Sequence, residues 1–489
     1  MTTNPGYGDY RKSRGWGVGQ LNTKATLVSG GALSLLAFSP YVLPLSVTAV
    51  LAVIVLPVLV FSVVPFGRRT LAGHLAYHLR WANAGDKTAW ADQVLEEVPR
   101  GENLPGILAP LCPIQVEDGR GGYQCLLWNR RTGVLSARLH VSPVGLTLAD
   151  DEDALQWVTN FGGFLADLGH MPLVESVAFT AESAPSGGMN QRAYTENRTT
   201  ADAPAVCKEI LSALVSITRA TTADVTCVVT INFDLKKAVP EPSTLAEGGA
   251  EVVNMLPRFE SSLAACGMPV VHRASLGQTI RYLRAAFDPA VRMTALSEDD
   301  EAWSWRDAGP LRTESTPDVY AHDSGYSVSS VLEAPPRGVV RYRSLIPLVS
   351  PGRYHRRTSL VYRPFSAAEA AKKVEAEVNA GVFRRIWANK TKKDETQREH
   401  DDRVKARRAA QEESMGAGLG RFTMYVTTTV RNENTLPEAC SDVEERMGMT
   451  KNRFRRTRKA MAAGHAASLG MGITPITGLS RMPNERWGA

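Results

Sequence analysis

Cationic side chains are concentrated in one short segment near the end of the chain. Six of the nine residues from 451 to 459 are cations: Lys451, Arg453, Arg455, Arg456, Arg458 and Lys459. Such a cluster could contact the phosphates of a nucleic acid, but it lacks the interleaved aromatic side chains of a single-strand binding platform. The sequence therefore favours an acidic protein partner or a membrane surface at least as much as nucleic acid.

Other chemically active residue types lack the spacing that catalysis or cofactor binding needs. His74 and His78 lie four residues apart on a predicted helix, a spacing that can bind metal, but no third ligand accompanies them in a recognisable motif. The chain has no G-x-x-x-x-G-K-S/T turn, no H-E-x-x-H helix and no G-x-S-x-G elbow. We therefore predict a protein that is not an enzyme and has no catalytic residues, no cofactor and no metal ligands.

The overall composition is that of a folded protein. The chain has 489 residues and a formal net charge of +6, which excludes collagenous, disulfide-built and wholly disordered proteins. Two or three domains are expected for this length. The six cysteines are widely spaced and form no C-x-x-C pair, which is typical of thiols in a reducing compartment.

A long apolar run near the N-terminus predicts a transmembrane helical hairpin. No charged residue occurs from residue 25 to 66, and a helical crossing needs about 20 apolar residues. Pro40 and Pro44 place the turn, because proline removes a helix donor and disfavours helical dihedrals in the residue before it. The predicted spans run from about 23 to 41 and from about 45 to 65.

Charged flanks set the predicted orientation of this hairpin. Arg14 and Lys24 precede it, Arg68 and Arg69 follow it, and the connecting turn carries no charge. The positive-inside rule then places both termini in the cytoplasm. The sequence thus predicts a multi-pass integral protein of the cell membrane, with the lipid bilayer as a partner.

Beyond the hairpin, alternating strand and helix patterns predict an α+β fold. The segment GGYQCLLWNRRTGVLSARLHVSP alternates like a β-hairpin, and DEDALQWVTNFGGFLADLG has apolar residues at helical spacing. Such units are typical of domains in which helices pack on a largely antiparallel sheet. A stretch rich in Ser, Thr, Pro and Asp from Arg312 to Tyr326 is predicted to be a loop.

The predicted organisation has four parts. A basic cytoplasmic N-terminus covers residues 1–22, and the transmembrane hairpin covers residues 23–66. Two cytoplasmic α+β domains follow at 67–311 and 312–489, the second with a long charged helix. The boundary between these two domains is placed at the predicted loop.

Several segments resemble a family of actinobacterial membrane proteins that are carried with conjugation genes. The segments are RGWGVGQL, LPGILAPL, VEDGRGGYQCLLWNRRTGVLSARLHV, HDSGYSVSSVLEAPPRGVV and HRRTSLVYRP. That family joins a two-span membrane piece, similar to the inner-membrane subunit beside the type IV secretion ATPase, to a soluble part. The soluble part resembles the non-catalytic N-terminal domain of the same ATPase, a likeness carried here by QEESMGAGLGRFTMYVTTTVRNENTLPEACSDVEERMGM.

The resemblance implies a function in the transfer of DNA or protein. It implies a non-enzymatic membrane scaffold of a conjugative or type IV secretion-like apparatus, which anchors or docks a separate cytoplasmic ATPase because this chain has no P-loop. Assembly into a homo-oligomer is left open. Two alternatives remain: a structural membrane subunit of a type VII secretion machine, and a membrane-tethered nucleic-acid-binding protein.

Overall fold

A computed structural model of the protein describes most of the chain, with gaps. The described residues are 6–8, 23–41, 44–63, 65–66, 69–83, 88–90, 104–145, 149–185, 195, 199–200, 202–218, 223–292, 303–336, 339–390, 404, 411 and 418–473. Contacts divide the chain into two compact units. The first comprises residues 1–8, 86–366 and 418–489, and the second comprises residues 9–85 and 367–417.

Helices and strands alternate along the chain, which confirms the predicted α+β class. The helices are α1 (Thr23–Phe38), α2 (Leu45–Val63), α3 (Leu71–Ala82), α4 (Asp151–Asp167), α5 (Ala205–Thr218), α6 (Leu245–Ala265), α7 (Leu276–Phe287), α8 (Ile346–Val349), α9 (Ala367–Lys390), α10 (Leu436–Met449) and α11 (Met461–Ser468). The strands are β1 (Gly6–Gly8), β2 (Pro65–Phe66), β3 (Arg69–Thr70), β4 (Thr88–Trp90), β5 (Leu111–Glu117), β6 (Tyr123–Asn129), β7 (Val134–Val141), β8 (Val174–Pro185), β9 (Ala223–Asp234), β10 (Val270–Arg273), β11 (Arg312–Ser315), β12 (Tyr320–His322), β13 (Gly325–Ala334), β14 (Val339–Arg341), β15 (His355–Pro364), β16 (Gly420–Val430) and β17 (Arg453–Arg456).

A sheet of 13 strands dominates the first unit. Its order is β4-β11-β12-β13-β16-β15-β8-β9-β7-β6-β5, with β10 paired to β7 and β17 paired to β13. The pairings are antiparallel, as the sequence predicts. Strands that are distant in sequence therefore share one sheet, and the segment 418–473 contributes β16 and β17 to it.

One face of the sheet is apolar and lies under α4 and α6. On β9 the alternate residues Val229, Ile231 and Phe233 are at most 1% exposed, because successive side chains of a strand point to opposite faces. Phe233 meets Phe259 of α6 edge to face, with ring centroids 5.8 Å apart. Burial of a side chain like Phe259 stabilises the fold by roughly 1.5–3 kcal/mol, so this face supplies much of the hydrophobic core.

The opposite face of the same strands is polar, although it is equally buried. The register places Arg138 of β7 beside Thr230 of β9. Farther along the sheet, the hydroxyls of Thr180 on β8 and Ser359 on β15 lie 3.0 Å apart. Helix α7 packs against β5 and β6, and α11 packs against β13, β15 and β16. We call this surface the polar face of the sheet.

The residues after α11 cross the polar face and close it. The carbonyl oxygen of Gly470 accepts a hydrogen bond of 2.6 Å from the hydroxyl of Thr230. Gly470 and Gly472 adopt positive φ angles of 64° and 77°, a conformation that favours glycine. A Cβ atom on Gly472 would collide with the hydroxyl of Ser136. The two glycines therefore let the backbone lie directly against the strands.

The predicted transmembrane hairpin is contradicted by the structure. Residues 23–38 and 45–63 are helical and are joined through a 3-10 turn, but α1 has only 16 residues. At 1.5 Å per residue such a helix is about 24 Å long, less than the roughly 30 Å hydrocarbon core of a bilayer. Helix α2 has 19 residues, of which only 46–61 have described side chains.

Within the described ranges, no helix combines the length and the hydropathy that a membrane crossing requires. The spans predicted at about 23–41 and 45–65 are corrected by this finding. The multi-pass localisation in the cell membrane, with both termini in the cytoplasm, was predicted from those spans. This prediction is wrong for the same reason.

The stretch predicted to be a loop contains strands instead. Strands β11 and β12 form a hairpin, and β13 begins at Gly325. The turn is closed by the amide of Thr316, which donates to the carbonyl oxygen of Val319 at 2.9 Å. The Ser, Thr, Pro and Asp residues of this stretch thus belong to a hairpin and its turn, and the predicted domain boundary at residue 312 falls inside the first unit.

Candidate functional site

The basic segment of the sequence forms a strand at the surface of the first unit. Residues Arg453–Arg456 are β17, which pairs with β13 so that Arg455 lies opposite Val331. Side chains alternate along this strand: Phe454 packs against an apolar cluster that includes Met424, whereas Arg455 is exposed. The alternation places Arg453 and Arg455 on the exposed side of the strand, whereas Phe454 faces inward.

Three arginines of this segment are neutralised within the protein. Each lies 2.8 to 2.9 Å from a carboxylate of a neighbouring element: Arg453 with Glu333, Arg456 with Glu444, and Arg458 with Asp318. The partners are partly exposed, so each pair contributes little to stability. Their effect on the surface is larger, because the cations are interspersed with carboxylates rather than forming one block of positive charge.

Lys451 and Arg455 remain as exposed cations of the segment, and in the described part of the chain neither forms an ion pair. Lys451 has a positive φ of 58° at the turn before β17. Lys459, at the other end, has a φ of 61° and donates its amide to the carbonyl oxygen of Pro317 at 2.6 Å. We call the surface of Lys451 and Arg455 the basic face.

The residues that define the predicted hairpin are only partly described. Arg14 and Arg68 lie outside the described residues. Lys24 lies on α1 and Arg69 on β3, where their side chains are not described. Pro40 lies in the 3-10 turn, and Pro44 directly precedes α2. The described residues therefore place a turn at Pro40, between α1 and α2.

A buried charged cluster on the polar face was missed by the sequence analysis. Glu182 of β8 is 1% exposed, and its carboxylate accepts from Nε2 of His355 at 2.6 Å and from Nε of Arg357 at 3.1 Å. Arg292 donates to the same carboxylate. Burial alone would raise the pKa of Glu182, but the charges of the two arginines and the bond from His355 outweigh it and hold that pKa well below its usual range.

A chain of hydroxyls connects a second buried histidine to the neighbouring strands. His322 contacts the carbonyl oxygen of Phe287 through Nδ1 at 2.5 Å and the hydroxyl of Ser327 through Nε2 at 2.7 Å. Since a carbonyl only accepts, Nδ1 must carry a proton, and in the neutral ring Nε2 then accepts from Ser327. Burial lowers the pKa of His322 to about 4. The ring is therefore neutral at pH 7 and fixes one tautomer in the polar face.

The alternation of Ser and Thr on these strands is the signal that could have revealed the polar face. Ser327 and Ser329 alternate on β13, and Thr427 and Thr429 alternate on β16. Their hydroxyls meet across the two strands at 2.7 Å for Ser327 with Thr429 and 2.8 Å for Ser329 with Thr427. From the sequence alone, such alternation indicates a solvated face, which is why the buried cluster was not predicted.

The histidine pair considered as a metal site lies on one helix. Both His74 and His78 belong to α3. The ring of His78 packs edge to face against Tyr77, with centroids 6.4 Å apart. Within the described ranges, no group of three or more His, Cys, Asp or Glu side chains is arranged to hold a metal ion.

No protein-family model matches this chain, and no curated protein matches it.

Proposed function

We propose that this chain is a scaffold protein that docks a separate ATPase in a conjugative or type IV secretion-like apparatus. The basic face of Lys451 and Arg455 is the observation that carries the proposal, because it places two exposed cations on β17 and at the turn before it, where the main sheet supports them. An acidic surface of the ATPase would bind there. The resemblance of residues 411–449 to the non-catalytic domain of such an ATPase supports the choice of partner.

The charge pattern around the basic face favours a protein over a nucleic acid. The affinity for a nucleic acid is greatest when unpaired cations of the protein replace the counterions on its phosphates. Here three arginines already contact carboxylates of the chain, and these carboxylates would repel a polyphosphate. Interspersed charges of both signs are instead suited to a protein surface of complementary pattern, where they set orientation and association rate.

A second exposed surface supports binding to another protein. On α5 the apolar side chains of Val206, Ile210 and Leu214 recur every four residues and are more than half exposed. Residues at this spacing form one stripe along a helix. Contiguous apolar stripes on a protein surface mark interaction sites, so α5 offers a contact separate from the basic face.

Copurification of the full-length chain with secretion or conjugation ATPases tests the proposal. We expect the wild-type chain to retain an ATPase and the K451E/R455E variant to lose it, because reversed charges repel an acidic partner. The matched control is R131E, since Arg131 is an exposed arginine in the turn between β6 and β7. Equal retention by all three proteins, or no ATPase with the wild type, would contradict the proposal.

The same variants separate the alternatives. A nucleic-acid-binding protein would bind DNA with an affinity that falls steeply with salt and is lost in K451E/R455E. A type VII secretion subunit would instead retain components of that machine. Either result, without an ATPase of the type IV class, would replace the proposed function.

A further inference from the structure

Arg138 lies in the polar face as a buried cation. Its side chain is 2% exposed, and its guanidinium carbon lies 4.4 Å from the ring centroid of Tyr282 on α7. This is the geometry of a cation–π contact. The face of the ring stabilises the positive charge of the guanidinium.

The guanidinium of Arg138 lacks hydrogen-bond acceptors in the described part of the chain. Its Nε, Nη1 and Nη2 atoms are all buried, and none of them has a partner there. A guanidinium carries five N–H donors and stays protonated in proteins. Buried charges in proteins are otherwise paired or hydrogen-bonded, so an acceptor is expected next to Arg138.

The surrounding charges do not supply the missing negative charge. The buried cluster nearby contains the cations Arg292 and Arg357 and one carboxylate, Glu182, which both of them bind. Arg357 also lies against the ring of Tyr282, at 5.7 Å. The two guanidiniums on this ring repel each other, and the described cluster carries more positive than negative charge.

Two further polar groups lie unpaired beside Arg138. Ser136 is two residues earlier on β7 and thus on the same face, and its buried hydroxyl has no partner among the described residues. Asn232 lies opposite Ser136 on β9, and its Oδ1 is likewise unpaired while Nδ2 donates to Ser176. The hydroxyl of Ser176 can equally donate to Asn232. If the side-chain amide of Asn232 were rotated by 180°, its Oδ1 would accept from Ser176 and its Nδ2 donor would point to the position now held by Oδ1.

The backbone of Gly470 and Gly472 closes the site from above, as its contacts with Thr230 and Ser136 show. Little room remains for a large ligand. A water molecule could accept hydrogen bonds but would leave the charge uncompensated. We propose that Arg138 and Ser136 hold a small monovalent inorganic anion of chloride size, enclosed between β7 and residues 469–473. This inference is independent of the proposed function.

Unfolding of the full-length chain at constant ionic strength tests the proposal, with sodium chloride replaced stepwise by sodium gluconate. Gluconate is too large for the enclosed site. An anion that binds only the folded state raises the folding equilibrium constant about tenfold for each tenfold rise in its concentration above the dissociation constant. We expect this dependence in the wild type and in R131M, which removes an exposed arginine charge, but not in R138M. A wild type that responds equally to both salts would overturn the proposal.

Crystals soaked in bromide give a second test that does not require R138M to fold. We expect an anomalous peak within hydrogen-bond distance of the Arg138 guanidinium in the wild type. We also expect a peak of lower occupancy in S136A, which loses one donor. Well-diffracting wild-type crystals without a peak at Arg138 would overturn the proposal.

Discussion

His355 on β15 donates from Nε2 to the carboxylate of Glu182 on β8, at 2.6 Å, across two paired strands of the main sheet. The same carboxylate forms ion pairs with Arg357, which lies directly opposite Glu182 on β15, and with Arg292, which follows α7 in the chain. One buried carboxylate thus satisfies donors that lie more than 100 residues away in the sequence. The polar face depends on Glu182 for its charge balance.

We expect E182Q to lower the free energy of unfolding by about 3–5 kcal/mol, because it leaves buried arginines without a counter-charge. Urea denaturation measures this change. The matched control is E314Q, since Glu314 forms an exposed pair with Arg312, and loss of an exposed pair costs about 0–1 kcal/mol. Equal stability losses in the two variants would show that Glu182 does not hold the buried cluster together.

We expect stability to fall as the pH decreases below about 6.5, the pKa of histidine in an unfolded chain. Burial lowers the pKa of His322 and of His355 to about 4 in the folded protein. Between these pH values the unfolded chain binds protons that the folded chain does not, so the stabilisation is complete above about 6.5 and is lost as the pH falls toward 4.

The variant H322Q removes one of these two titrating histidines. Denaturation at pH 5, 5.5 and 6 gives the slope of unfolding free energy against pH, and we expect it to be smaller in H322Q by about 1.4 kcal/mol per pH unit. Other titrating groups contribute equally to both proteins and cancel. The same slope in both proteins would show that His322 is not held neutral.

The predicted secondary structure was correct where local periodicity determines it. The alternating segment around residues 123–141 forms β6 and β7, with Gly133 at a φ of 79° in the turn between them. The stretch 312–326 was wrongly predicted because its polar composition is shared by loops and by short hairpins. Local sequence patterns therefore predict helices and strands with clear apolar periodicity, but they do not distinguish a polar loop from a short polar hairpin.

The candidate sites show the same limit. The basic segment was found from its composition, but Glu333 pairs with Arg453 from 120 residues away, so its partial neutralisation could not be predicted. The cluster around Glu182 has no local signature at all, since His355 and Arg357 meet it only through the pairing of β8 with β15. Which face of a strand is buried depends on what covers it, and no local pattern reports that.

We expect G472A to destabilise the protein by about 1–3 kcal/mol, the usual cost of overpacking. A Cβ at this position would meet the side chain of Ser136, and alanine is also strained at the positive φ of 77°. The control is G448A on α10, where a Cβ has open space around it. Alanine there should stabilise the helix by about 0.5–1 kcal/mol. Thermal unfolding that shifts both variants in the same direction would contradict a close approach at Gly472.

Strand β17 carries Arg455 of the basic face and a single aromatic side chain. Phe454 is the inward-facing aromatic residue of β17 and packs against the cluster that contains Met424 and Met447. We expect F454A to loosen β17 locally, because removal of a half-buried aromatic side chain loses packing that the short strand cannot replace. Trypsin should then cleave at Lys451 and Arg455 at least several times faster than in the wild type.

The matched control is F422A, since Phe422 is a partly buried phenylalanine on β16 that packs against a different hydrophobic core. Its loss should lower global stability without opening β17 selectively. Cleavage sites identified by mass spectrometry distinguish the two cases, because local opening exposes bonds near β17 whereas global unfolding exposes bonds throughout the chain. If both variants are cleaved at the same bonds and at the same rates, Phe454 does not anchor the basic face.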